Sequence, residues 1–118
     1  MHQLNLQLMK QITRKDYISH HSSEWVNINF KGFDLDGEDL SFQEFEGCDF
    51  EGQTFFESVI TNTTFIDCCF QSASFSDCLI ENCDFINCDL TACDLQEKIE
   101  LAKKKGCNLG IVIENFKE

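Results

Sequence analysis

Large apolar residues recur at every fifth position through the middle of the chain. Each fifth residue from Phe30 to Leu95 is Phe, Leu or Ile; we call these residues the centres, and they are Phe30, Leu35, Leu40, Phe45, Phe50, Phe55, Ile60, Phe65, Phe70, Phe75, Ile80, Phe85, Leu90 and Leu95. A helix repeats its faces every 3.6 residues and a flat strand every two, so neither fits a period of five. The period predicts a chain that turns a corner after every pentad, with four pentads closing one coil of a solenoid.

The positions on either side of each centre are restricted as well. From Cys48 onwards, the residue two before a centre is Cys, Ser, Thr or Ala, with Gln53 as the one long exception. The residue two after a centre is often Gly, Asn or Asp, the types that tolerate the backbone angles of tight turns. We therefore expect the first position to point inward and the second to form a corner.

This pattern resembles the pentapeptide-repeat family, in which a small residue and Asp or Asn precede Leu or Phe. The best matches are Cys-Asp-Phe at 48–50 and 83–85, and Cys-Asp-Leu at 88–90 and 93–95. The resemblance covers roughly residues 26–95 and implies an all-β fold, a right-handed quadrilateral β-helix of about three and a half coils. The first coil departs from the repeat, because large or charged residues replace small ones at Ile28, Phe33, Glu38 and Gln43. We expect that end to be wider.

The two ends of the chain lack the period of five, so the chain divides into three segments. Residues 1–22 are expected to cap the first coil, residues 23–95 to form the β-helix, and residues 96–118 to form a helix and a short strand. In the first segment, Leu4, Leu6 and Leu8 alternate like a strand, whereas Leu4, Leu8 and Ile12 are spaced like a helix face. Periodicity leaves both forms open.

The C-terminal segment contains the signals of a short helix over residues 95–105. Asp94 and Glu97 resemble a capping box, and Gly106 stands where a helix C-cap is expected. This tail resembles that of quinolone-resistance pentapeptide-repeat proteins, which implies pairing of two protomers end to end; the alternative is a cap on the chain's own coils. The residues expected to form this dimer or cap contact are Leu95, Ile99, Leu101, Ala102, Leu109, Ile111 and Ile113.

The cysteines do not indicate a catalytic or metal site. Six of the eight occupy the small inward position, which suits a buried apolar residue, and Cys69 is expected to point outward. No C-x₂-C spacing is present, and every His lies outside the repeats. We expect no enzyme activity, cofactor or metal. Because the N-terminus has no secretory signal and no apolar run reaches the about 20 residues of a membrane span, we expect reduced thiols, a cytoplasmic location and no membrane contact.

The charge of the chain is concentrated in the repeats. The net charge is −12, and residues 30–95 contain 15 acidic residues and one basic residue, Lys31. Such a surface excludes direct binding of nucleic acid through a positive footprint. The resemblance implies a DNA mimic that binds DNA gyrase or topoisomerase IV. The candidate acidic surface, outward by register, comprises Asp34, Asp36, Asp39, Glu44, Glu46, Asp49 and Glu51.

An alternative function is a generic protein-interaction or assembly scaffold with no link to topoisomerase. Apolar residues in outward positions would then form the binding surface. The candidates are Phe56 and Val59 beside one corner, Leu79 one coil above Val59, and Ile66 stacked with Ile86 on another side. The acidic residues would only keep the protein soluble.

Overall fold

The repeats form a four-sided β-solenoid of about four turns. The structure, a computed structural model, describes residues 9–95, 103–104 and 106–108. Its strands are β1 (Lys10–Gln11), β2 (Glu24–Val26), β3 (Ile28–Asn29), β4 (Glu44–Glu46), β5 (Val59–Thr61), β6 (Thr64–Ile66), β7 (Leu79–Glu81) and β8 (Asp84–Ile86). One short helix, α1 (Arg14–Ile18), lies near the N-terminus. The expected all-β repeat fold is confirmed.

Parallel pairing places residues twenty positions apart on the same side of the solenoid. The strands β2, β4, β6 and β8 form a four-stranded sheet in which Phe45 lies opposite Phe65 and Phe65 opposite Phe85. We number the sides by their centres: the first holds Phe30, Phe50, Phe70 and Leu90; the second Leu35, Phe55, Phe75 and Leu95; the third Leu40, Ile60 and Ile80; and the fourth Trp25, Phe45, Phe65 and Phe85. The pair β5–β7 lies on the third side.

The interior is a set of stacked apolar columns. Every centre is buried, and phenylalanine rings of successive coils lie nearly parallel, with centroids 4.9 Å apart for Phe30–Phe50 and 5.0 Å for Phe50–Phe70. These separations follow the roughly 4.8 Å spacing of hydrogen-bonded strands, so the backbone repeat determines the ring stacking. Rings on neighbouring sides meet edge to face, as for Phe65 and Phe70 at 4.9 Å.

Each corner residue adopts a left-handed backbone conformation. Positive φ occurs at every position two residues after Trp25 and after each centre up to Leu90: Asn27, Gly32, Gly37, Phe42, Gly47, Gly52, Glu57, Asn62, Asp67, Ser72, Asp77, Asn82, Asn87 and Ala92. This conformation costs other L-residues about 1–2 kcal/mol, which explains the Gly, Asn and Asp at this position. Gly47 has a second reason, because an added Cβ would collide with the side-chain oxygen of Asn27.

The carbonyl groups at the corners explain the small inward residues. On the first and second sides, the centre's carbonyl accepts a hydrogen bond from the backbone N–H of the residue three positions later. One example is the Gln53 N–H, which donates to the Phe50 carbonyl at 3.1 Å and closes a type II turn. This bond is absent at the described centres Leu40, Phe45, Ile60 and Phe65. Their carbonyls accept side-chain hydrogen bonds from the next coil instead, donated by Thr63, Cys68, Cys83 and Cys88 respectively. The cysteines are therefore buried S–H donors as well as small residues.

The N-terminal segment covers the first coil, and the large inward residues of that coil hold it in place. Strand β1 pairs with β3, so Lys10 lies opposite Ile28, and Ile12 is buried. Arg14 lies 3.4 Å from the Glu38 carboxylate and packs over the Phe33 ring. Residues 9–22 thus contain both a strand and a helix, while Leu4, Leu6 and Leu8 lie outside the described residues.

Trp25 closes the core beneath the first complete coil. It occupies the centre of β2, is buried, and stacks on Phe45 with ring centroids 5.9 Å apart. Its indole N–H donates to the Gln43 side chain at 2.8 Å, and Tyr17 stacks on it at 5.5 Å. Gln43 therefore replaces a small residue because its amide is the partner of the indole.

The C-terminal helix and strand that the sequence predicts lie mostly outside the described residues, among them Ile99, Leu101, Ala102, Leu109, Ile111 and Ile113. Leu95 is buried at the end of the second side, and Lys103–Lys104 is helical. Gly106 has φ +81° and donates its N–H to the Lys103 carbonyl at 3.0 Å. Cys107 is buried, and Asn108 forms a parallel bridge with Asp84, which adds a rung to the fourth side.

The Thr63→Val substitution tests the role of the inward donors. Thr63 Oγ1 donates to the Leu40 carbonyl at 2.8 Å, and valine keeps the shape without the donor. We expect the free energy of unfolding to fall by about 1–3 kcal/mol, because a buried carbonyl loses its partner. Urea denaturation measures the change. Thr63→Ser, which keeps the hydroxyl, is the control for the hydrogen bond; equal losses for both variants would contradict this role.

Candidate protein-binding surface

The seven candidate acidic residues encircle the solenoid instead of forming one face. By the observed register, Asp34 and Asp36 lie on the second side, Asp39 on the third, Glu44 and Glu46 on the fourth, and Asp49 and Glu51 on the first. We call these seven residues the acidic belt. A flat partner placed against one side would reach only part of it.

Several carboxylates of the belt hold the backbone. The aspartate before a centre accepts a hydrogen bond from the backbone N–H two residues later: Asp34 accepts from Asp36 at 3.0 Å, and Asp49 accepts from Glu51 at 2.9 Å. Asp39 makes the same bond to Ser41. Asp49 is only 7% exposed, so little of its side chain is accessible to a partner. These aspartates belong to turn geometry that recurs along the solenoid.

Asp36 links two coils. Its Oδ1 accepts the Thr54 hydroxyl at 2.6 Å and the Phe56 backbone N–H at 2.8 Å. Asp94 links coils in the opposite direction, since it accepts hydrogen bonds from the Ser74 and Ser76 hydroxyls and the Phe75 N–H of the preceding coil. Neutralising Asp36 would therefore disturb the fold as well as the surface charge.

Glu44 and Glu46 are the belt residues whose carboxylates remain available. Glu51 pairs with Lys31 at 3.3 Å, so the one basic residue of the repeats is already engaged. Within the part of the chain that the structure describes, the side chains of Glu44 and Glu46 form neither hydrogen bonds nor ion pairs. Both lie on β4 in the middle of the four-stranded sheet.

The candidate apolar residues stack as the register predicts, on two different sides. Val59 pairs with Leu79 on the third side, and Ile66 pairs with Ile86 on the fourth. Leu79 is 44% exposed and Ile86 46% exposed, and Phe56 is also exposed at the preceding corner. The fourth side therefore combines members of both candidate sets, Glu44 and Glu46 with Ile66 and Ile86.

Phe42 is an exposed apolar residue that the sequence reasoning missed. It lies at the corner that leads from the third side into the fourth, with φ +59°, and its side chain is 71% exposed. The signal was available, because Phe42 stands two residues after the centre Leu40, where a turn-forming residue is expected.

The thiols of Cys69 and Cys83 have a raised pKa, and two cavities lie near the N-terminal segment. Burial raises the pKa of the Cys69 thiol to about 11, with a smaller contribution from the nearby Asp49 and Asp89 carboxylates. The Cys107 thiol and burial together raise the pKa of Cys83. Two open cavities of about 170 and 220 Å³ lie beneath the N-terminal segment beside His20 and Trp25. The described residues contain no cluster of side chains suited to a metal and no helix able to span a membrane.

Cys69 should resist alkylation at neutral pH. A pKa of about 11 leaves roughly one thiol in a thousand ionised at pH 8, and only the thiolate is nucleophilic. Because the folded-state pKa is raised, the rate of labelling by iodoacetamide should rise between pH 8 and pH 11. Mass spectrometry of wild type and of Cys69→Ser identifies the labelled site; rapid labelling of Cys69 at pH 7 would contradict the expectation.

Comparisons with known proteins agree with the repeat pattern. The family model described as "Pentapeptide repeats (8 copies)" matches residues 68–97. Two solved structures of trypsin-treated variants of QnrB1, a plasmid-mediated fluoroquinolone resistance protein, are similar. One has 21% identity over 72% of this chain and 48% of that chain, with a TM-score of 0.36. The other has 16% identity over 59% and 49%, with a TM-score of 0.31. This chain thus spans about half the length of those proteins. No curated protein sequence matches.

Proposed function

We propose that this protein, whose residues 68–97 match the pentapeptide-repeat family model, is a non-catalytic binding module that presents carboxylates to a basic surface of a protein partner. The observation that carries the proposal is the charge imbalance of the repeats, 15 acidic residues against Lys31 alone over residues 30–95. Since Lys31 pairs with Glu51, no described cation within the repeats offsets the remaining carboxylates. The expected cytoplasmic location is part of this proposal.

The charge density supports mimicry of DNA. About three and a half coils at roughly 4.8 Å span about 17 Å, over which B-DNA carries about ten charges. The repeats carry a net charge of −14 over that length, from 15 acidic residues and one basic residue. The acidic belt also surrounds the axis, as phosphates surround a duplex. A DNA-binding protein would therefore meet a field of similar strength on approach.

The partner class that we propose is a type II topoisomerase, DNA gyrase or topoisomerase IV, acting through its DNA-binding surface. Support comes from the resemblance of the repeats to the pentapeptide-repeat family and of the C-terminal tail to its quinolone-resistance group, together with the charge density. Pairing of two protomers through the tail is a further proposal, because most of the tail lies outside the described residues.

A supercoiling assay with purified DNA gyrase tests the proposal. We expect the protein at about micromolar concentration to alter supercoiling at low salt, and the effect to weaken as salt screens the charges. Glu44→Gln with Glu46→Gln should weaken the effect at least about fivefold, because these carboxylates are free to meet the partner. They are better targets than Asp36, whose bonds support the fold.

The matched control neutralises two carboxylates in the third coil, by Asp77→Asn with Glu81→Gln. This pair changes the net charge equally but lies outside the acidic belt. We expect it to retain the effect within about twofold. An unchanged supercoiling reaction with wild-type protein would contradict the topoisomerase proposal, and equal losses for the two pairs would contradict the role of the belt.

The exposed apolar residues favour a second candidate, an interaction or assembly scaffold without a topoisomerase. Leu79 stacks on Val59, and 44% of its surface is exposed; the exposed Phe56 lies beside this pair. In affinity capture from a bacterial lysate, Phe56→Asp or Leu79→Asp should then lose the captured protein, because a charge replaces apolar contact area. The Glu44→Gln, Glu46→Gln variant should retain it. Loss in the acidic variant alone would exclude the scaffold.

A further inference from the structure

The fourth side presents a broad outward surface that mixes apolar and acidic side chains. It is the widest sheet, with strands β2, β4, β6 and β8. The column after the centres reads Val26, Glu46, Ile66 and Ile86, and the column before them reads Glu24, Glu44, Thr64 and Asp84. Val26 is 53% exposed and Ile86 nearly as much. We call these eight residues together with Phe42 the fourth-side surface.

Phe42 lies at the edge of this surface in a conformation unfavourable for phenylalanine. Its φ of +59° belongs to the left-handed region, and its ring is the most exposed of the large apolar side chains among the described residues. Neither the backbone nor the burial of this residue favours phenylalanine in the free protein. An exposed aromatic residue beside a flat sheet is the type of residue that anchors protein interfaces.

The charges of the surface specify the partner further. Every ionisable side chain in its two columns is a carboxylate: Glu24, Glu44, Glu46 and Asp84. A complementary partner therefore brings Lys or Arg beside apolar residues. The spacing favours an α-helix laid along the solenoid axis, because the helix pitch of about 5.4 Å is close to the coil spacing of about 4.8 Å. Successive turns of such a helix meet successive coils.

We propose that the fourth-side surface docks a basic amphipathic α-helix of a protein partner. Ile66, Ile86 and Phe42 contact its apolar stripe, while Glu44 and Glu46 contact its Lys or Arg side chains. This inference rests on the proposed binding role but not on a topoisomerase being the partner. It goes beyond charge mimicry, because a mimic of DNA alone does not require the apolar column.

A fluorescence-anisotropy titration without any topoisomerase tests the inference. The probe is a fluorescein-labelled helical peptide of about 14 residues, with Leu at helical spacing on one face and Lys on the other. Two control peptides replace every Leu by Gln or every Lys by Glu. We expect the Leu/Lys peptide to bind at least about tenfold more tightly than either control, since both kinds of contact contribute.

Variants of the protein locate the site. Ile86→Gln should weaken peptide binding about tenfold, and its matched control Leu79→Gln, of nearly equal exposure on the third side, should bind like wild type. Phe42→Asn should also weaken binding while leaving the melting temperature unchanged or higher, since asparagine suits its φ. Circular dichroism checks folding of each variant.

Three results would overturn the inference. Equal binding of the Leu/Lys and Gln/Lys peptides would show attraction by charge only. Equal effects of Ile86→Gln and Leu79→Gln would place the contact elsewhere. Sedimentation showing a dimer without peptide that Ile86→Gln dissociates would assign the surface to a second copy of this chain. If the protein does not alter supercoiling but binds the Leu/Lys peptide, the topoisomerase is rejected as the partner and the docking site is retained.

Discussion

The corner after each pentad is the constraint on which the rest of the structure depends. Turning the chain there requires a left-handed residue, and all the described corners up to Ala92 have one. The turn also removes the centre's carbonyl from the hydrogen-bond ladder between coils, so this carbonyl needs another donor. On two sides of the solenoid a backbone N–H is this donor, and on the other two sides the donor is the side chain of Thr63 or of a cysteine from the next coil. The unusual cysteine content follows from this need and from the lack of space.

The same constraint engages several of the acidic side chains in the turns. An aspartate before a centre commonly accepts a backbone N–H of its own turn, as Asp39 and Asp89 do. Position relative to a centre does not by itself decide which carboxylates are free, because Asp36 and Glu51 follow centres and are engaged. The two proposals above therefore share Glu44 and Glu46, whose side chains have no described partner.

The ends of the solenoid show how far the repeat could be extrapolated. The departure of the first coil from the repeat was predictable from Ile28 and Phe33, but the residues that contact it were not, because Arg14 and Tyr17 come from a segment without periodicity. At the other end, Cys107 and Asn108 stack over Cys83 and Asp84, although 24 residues rather than 20 separate the members of each pair. A period read along the chain cannot show that stacking, since the period of five ends at Leu95.

The sequence by itself determined the repeat, the buried centres, the corners and the side on which each outward residue lies, because these features are local and recur every five residues. Only the tertiary structure decided which outward side chains are free. Asp36 and Glu44 are equivalent in charge, yet Asp36 binds Thr54 and Phe56 from the next coil and Glu44 binds no described residue. That difference depends on which atoms the stacking of coils brings within hydrogen-bonding distance, which composition and spacing do not specify.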